Sequence, residues 1–170
     1  MIRRHVIIAA IAAFPLLANP GISAAAVQVP AELQPAGCKL LFTAKASGVQ
    51  IYTSVAEAGS PAKWVFEAPL ARLIDHHGKL AVYHYAGPSW EALDGSKVTR
   101  DKDTPVKAAP APNATADIPW LLVKVVADAA GGMLHTVGYV QRIETHGGTA
   151  PAMAPIRAGT TIGVPYTATY

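Results

Sequence analysis

The chain has 170 residues, about half of them hydrophobic, and a net charge of +3 from fourteen Lys and Arg against eleven Asp and Glu. Two of those cations, Arg3 and Arg4, sit at the extreme N-terminus; without them the balance is twelve against eleven, and no basic cluster remains. That excludes an electrostatic nucleic-acid footprint, and a single cysteine, Cys38, excludes an intramolecular disulfide.

In chain order, Met1–His5 carries the two arginines and Val6–Ala18 is an apolar run, followed by small residues at Ala24, Ala25 and Ala26. The run is too short to cross a bilayer, and the pattern predicts a cleaved signal peptide over residues 1–26. The remaining 144 residues (170 − 26) are expected to form one domain, 27–170, with no transmembrane span, in the periplasm or outside the cell. Cys38 lies well beyond the apolar run, behind Gln34-Pro35-Ala36-Gly37, and is expected to be a buried or idle thiol rather than a lipid anchor.

Val27–Gly37 is rich in Pro and Ala and predicts an extended arm; Lys39–Ala44 adds an edge segment. Gly48–Thr53 alternates as a strand, with Val49 and Ile51 on one face. After a turn over Glu57–Pro61, Lys63–Glu67 alternates again and puts Trp64 and Phe66 together on an apolar face; Ala68–Asp75 continues extended or as a short helical turn. His76-His77-Gly78 is a loop, whose adjacent imidazoles point apart and are expected to be solvated.

The densest stretch is Tyr83–Val98, read as three short strands with reversals at Ala86–Ser89 and Asp94-Gly95. A four-residue loop over Ala86–Ser89 pairs Tyr85 with Trp90 and His84 with Glu91. His84 follows Leu80 and Val82 on one strand face and is expected to point inward. A His opposite a Glu is an acid–base couple, part of a metal site, or a plain ion pair. His84, Trp90, Glu91 and Asp94 are therefore candidate ligand-site residues.

Arg100–Asp117, with three prolines and many alanines, predicts a long irregular loop. Ile118–Asp128 is apolar on both faces, as in a strand central to a sandwich or barrel. Leu134–Glu144 returns antiparallel, and Gln141 on its apolar odd face needs hydrogen-bond partners, as a structural linker or a fifth ligand-site candidate. Val164–Tyr170 closes the chain as a strand with Tyr166, Ala168 and Tyr170 on one side. Six or more short strands and no convincing helix predict an all-β, single-domain antiparallel sandwich or small barrel with long loops.

Five segments carry a resemblance: GVQIYT (Gly48–Thr53), HYAGPSWEALDGSKV (His84–Val98), IPWLL (Ile118–Leu122), QRIETHGGTAP (Gln141–Pro151) and VPYTATY (Val164–Tyr170). Together they resemble a secreted bacterial and fungal family catalogued as domain of unknown function 3455. The resemblance implies a β-rich extracytoplasmic domain and no particular reaction. Relatives in that family often have a cysteine after the GVQIY segment and another near the C-terminal strand, where this chain has Ser54 and Ala154–Gly159. If that pair is bonded in relatives, this chain lacks a staple worth roughly 2–4 kcal/mol.

No G-x-S-x-G elbow, H-E-x-x-H or phosphate loop is present. The expected function is a non-enzymatic module binding a small molecule, a glycan or an envelope protein, without cofactor or metal. The alternative is a hydrolase-like or metal-assisted enzyme using His84 with Glu91, and Asp94 beside them. N-terminal sequencing of exported protein is expected to begin near Val27; finding Met1 on exported material would contradict the signal-peptide reading.

Overall fold

A computed structural model of the chain describes residues 27–128 and 131–170. The predicted signal peptide lies outside the described residues. Among the described residues there are nine strands: β1 (Lys45–Val55), β2 (Lys63–Ile74), β3 (Leu80–Tyr85), β4 (Ser89–Ala92), β5 (Lys97–Arg100), β6 (Lys107–Ala109), β7 (Trp120–Ala127), β8 (Tyr139–Gly147) and β9 (Thr161–Thr169). The helical content of the described residues is one turn of 3-10 helix, Ala31–Leu33. No helix among them is long and apolar enough to cross a membrane.

All pairings are antiparallel. β1 to β5 form a meander, β7 to β9 a second one, and β9 returns to pair with β1. β5 also pairs with β7, so the sheet runs round into a ring. The ring is not a regular barrel, because β7 divides one edge between two partners. β6 takes Trp120–Leu122 and β5 takes Val125–Ala127.

The long β1–β2 hairpin anchors the ring and carries one register shift at Ile51/Tyr52. Gly48 sits where the two backbones come closest: a Cβ there would lie 2.1 Å from the Leu70 carbonyl oxygen. On β1, Val49 and Ile51 share a face as alternation requires, but both are only half-buried, whereas Ala46, Gln50, Tyr52 and Ser54 are buried. Trp64 and Phe66 are not core: Trp64 is half-buried and Phe66 is 50 % exposed. They lie on the half of β2 that β3 does not reach, since β3 pairs only from Ala71 onward. The continuation after Glu67 is extended, and it supplies Ala71 and Leu73 to the core.

Three further expectations change. The N-terminal arm is not simply extended: its 3-10 turn buries Leu33 completely against Ala109, Ala111, Trp120 and Leu122. Within the Arg100–Asp117 segment, Arg100 ends β5 and Lys107–Ala109 form β6, so that Ala109 and Ala111 are buried. β8 begins at Tyr139 rather than Leu134, which is buried in a turn. Of the Lys39–Ala44 segment, Ala44 extends the β1–β9 ladder, exchanging backbone hydrogen bonds with Tyr170 at 2.8 and 2.9 Å.

β7 is apolar on both faces because two cores meet on it. Val123 and Val125 belong to the main core; Trp120 and Leu122 belong to the smaller one under the arm. Ser54 ties down the segment before β9 by hydrogen bonds. Its Oγ donates to the Arg157 carbonyl at 2.7 Å and accepts from the Thr160 amide at 2.8 Å. Leu33→Ala is expected to cost about 2–5 kcal/mol, the range for emptying a fully buried leucine site. Urea denaturation of both proteins checks this; an unchanged midpoint would show that the arm does not contribute to the second core.

Candidate functional site

The reversal between β3 and β4 decides which side chains meet. The loop consists of residues 86–88, and Ser89 already belongs to β4. Tyr85 therefore pairs with Ser89, His84 with Trp90 and Tyr83 with Glu91. This is one residue away from the expected register, and one residue of slip exchanges the two faces of a strand. His84 and Glu91 consequently lie on opposite faces, and the expected His84–Glu91 couple does not form. Glu91 instead accepts a hydrogen bond from the Tyr85 hydroxyl. In its place the His84 ring stacks on Trp90, with centroids 4.4 Å apart and planes 10° from parallel. Tyr170 packs against both rings, at 5.3 and 6.3 Å.

These rings border a cavity of about 320 Å³ between the strands. Its walls are mostly apolar, with Phe66, Ile118, Leu121, Val123 and Val140 beside three prolines, Pro69, Pro88 and Pro119. Its polar groups are few: Gln50, Tyr52, His84, Arg142, Tyr170 and the indole of Trp90. The β7–β8 register places Leu121 opposite Arg142 and Val123 opposite Val140, so all four share one face. A second, larger cavity of about 890 Å³ opens beneath residues 38–43, and Trp90, Val140 and Tyr170 border both. Those three side chains form a partition.

The electrostatics of the smaller cavity are unusual. Arg142 is 8 % exposed, and its Nε and Nη2 donate to the Pro119 carbonyl at 3.3 and 2.9 Å. None of the ion pairs among the described residues includes it. Burial pushes the Tyr52, Tyr166 and Tyr170 phenols above their ordinary range, with the Arg142 charge opposing, so the neighbouring hydroxyls stay neutral. His84 donates from Nδ1 to the Ser89 carbonyl at 2.9 Å, which leaves Nε2 as its acceptor. Burial lowers its pKa to about 4, and the Arg142 charge acts in the same direction, against the Ser89 bond. Of the four buried donors without a partner among the described residues, Gln50 Nε2 and Trp90 Nε1 are at this cavity, while Arg100 Nε and Trp120 Nε1 lie outside its lining.

Of the five candidates from the sequence, only His84 and Trp90 reach this cavity. Asp94 is in the exposed β4–β5 turn, accepting from the backbone and hydroxyl of Ser96 and from the Met133 amide. Gln141 donates to the Leu33 carbonyl at 2.7 Å, tying the arm to β8, and lines the larger cavity. Gln50, Tyr52, Arg142 and Tyr170 also line the smaller cavity and are not among the candidates read from the sequence. A signal was available for two of them: Gln50 and Arg142 occupy alternate strand positions where an apolar residue is expected if that face packs. No group of three or more His, Cys, Asp and Glu among the described residues could hold a metal ion.

The His84 environment carries a pH signature. Below about pH 6.5 the unfolded chain binds a proton that the folded chain refuses until about pH 4. The stability tied to neutral His84 is thus complete above pH 6.5 and falls progressively between 6.5 and 4, by about 3 kcal/mol. Urea denaturation across that range is expected to show a slope that His84→Gln makes shallower by one proton; equal slopes would show that His84 titrates normally in the folded protein.

No curated protein and no solved structure matches the chain. One family model does, over residues 35–170, and its description is Protein of unknown function (DUF3455). That span takes in every described strand and both cavities, and on it the chain belongs to the DUF3455 family.

Proposed function

We propose that this protein is an exported, non-enzymatic module that binds a small molecule inside its ring of strands. One observation carries the proposal: an apolar cavity of about 320 Å³ into which a few buried polar groups converge, two of them donors without partners. Ligand sites have this composition, apolar walls with a small number of placed polar groups. A buried N–H with no acceptor costs about 1–3 kcal/mol, and a bound molecule can supply the acceptor. Export rests on the sequence, on Arg3 and Arg4 ahead of the Val6–Ala18 apolar run and the alanines before Val27.

A small molecule fits better than the glycan or protein considered from composition. Sugar hydroxyls need many polar partners, and these walls offer few; the cavity is also too small for a protein segment of any length. The enzyme alternative loses its acid–base couple, since His84 and Glu91 project from opposite faces.

Native mass spectrometry of protein taken from the compartment to which it is exported tests this. A non-covalent low-mass species is expected on the wild type and not on Val140→Trp, which fills the cavity. Protein that carries nothing, or Val140→Trp that carries the same species, would sink the proposal.

A further inference from the structure

The polar groups in the smaller cavity share one property: those without partners are donors. Gln50 Nε2 and Trp90 Nε1 are buried N–H groups with no acceptor. Arg142 has five N–H groups, of which Nε and Nη2 donate to the Pro119 carbonyl and the Tyr170 hydroxyl is a further neutral acceptor beside the guanidinium. Its charge has no counter-charge among the described ion pairs. The phenols around it are held neutral by burial, and His84 offers no anion in any protonation state. A buried cation is ordinarily paired, so this site is short of one negative charge and of hydrogen-bond acceptors.

A carboxylate supplies both. It is acceptor-only when ionised, has two oxygens, and matches a guanidinium fork. The rest of the cavity sets the body of the ligand: its walls are Pro, Ile, Leu, Val and Phe, with the stacked His84 and Trp90 rings at one side. The volume of about 320 Å³ accommodates roughly ten non-hydrogen atoms at the space each takes in a liquid.

We propose that the cavity holds a small apolar carboxylic acid as its anion, with Arg142, Gln50 and Trp90 donating to the carboxylate and the apolar walls enclosing the remainder. The inference rests on the reading of this cavity as the binding site. It adds the ligand class, and it makes Arg142 the residue that selects acids over neutral molecules of the same shape.

The test compares matched probes on the full mature protein, in buffer free of carboxylates. 3-Phenylpropionate and octanoate are titrated calorimetrically against 3-phenylpropionamide and octanamide. Each acid is expected to bind at least tenfold more tightly than its amide, because charge-assisted hydrogen bonds are about twice as strong as neutral ones. Arg142→Gln is expected to reduce that preference to less than about threefold, whatever it does to the affinity of the amides. Should Arg142→Gln fail to fold, the wild-type comparison still decides, and Gln50→Leu is expected to weaken the acids more than the amides. Amides that bind as well as acids would overturn the ligand class and leave the binding reading standing. A preference that survives in folded Arg142→Gln would overturn the role of Arg142. Absence of binding by all four probes, with no small molecule on the exported protein, would overturn the ligand class and the binding reading together.

Discussion

Everything in this structure depends on the return of β9 to β1. With that pairing, and with β5 reaching β7, the sheet runs round into a ring, and the Lys63–Leu70 half of β2 is a stretch that β3 leaves uncovered. Closure has a geometric consequence. Eight strands in a ring leave an interior just wide enough for side chains to fill, or to hold one small ligand. Here much of the inward surface is small: Ala46, Ala71, Ala92 and Ala168 all lie in the main core. One group of large rings, His84, Trp90 and Tyr170, packs together in the interior. Small side chains leave part of the interior unfilled, and the cavity lined by Arg142 is part of that space.

Placing Arg142 there runs against the stability of the isolated chain. A buried charge retains much of its desolvation cost unless it is paired. Nearby groups do little to relieve it, since the Pro119 carbonyl contributes a dipole and the tyrosines remain protonated. Neutral His84 is part of the same arrangement, because a second buried cation beside the first would be more costly still. Local departures from good packing and good pairing collect at functional sites more than elsewhere. In this molecule two of the four orphaned donors, Gln50 and Trp90, border the same cavity as the uncompensated cation.

The fold has a second dependence, on the outer face of β7. A ring of strands exposes its outside to solvent, and Trp120 and Leu122 would be costly there. The arm before β1 and the short β6 cover them, with Leu33 at the centre of the contact. The Gln141 side chain holds that arm in place through the Leu33 carbonyl. Ser54 does comparable work at the other end of β1, where two hydrogen bonds fix the chain before β9. Both attachments use polar side chains near strand ends, where backbone groups would otherwise lack partners.

The sequence by itself determined the all-β class, most of the strands and several of the turns. These are local properties: β-branched and aromatic alternation, and Gly or Pro where a ladder must stop. It also showed that His84 would face inward, since Val82 two residues earlier sets that face. Several things it did not show. The β3–β4 register turned on whether Ser89 belongs to the loop or the strand, a difference of one residue that propensity does not resolve, and that difference separated His84 from Glu91. Gln50 and Arg142 were legible as polar residues in strands, but not as neighbours. They stand 92 positions apart in the chain (142 − 50) and line the same space only because β9 and β8 follow β1 round the ring. Periodicity states which residues share a face; the ring closure alone decides which faces look at one another, because it depends on pairings between strands far apart in sequence.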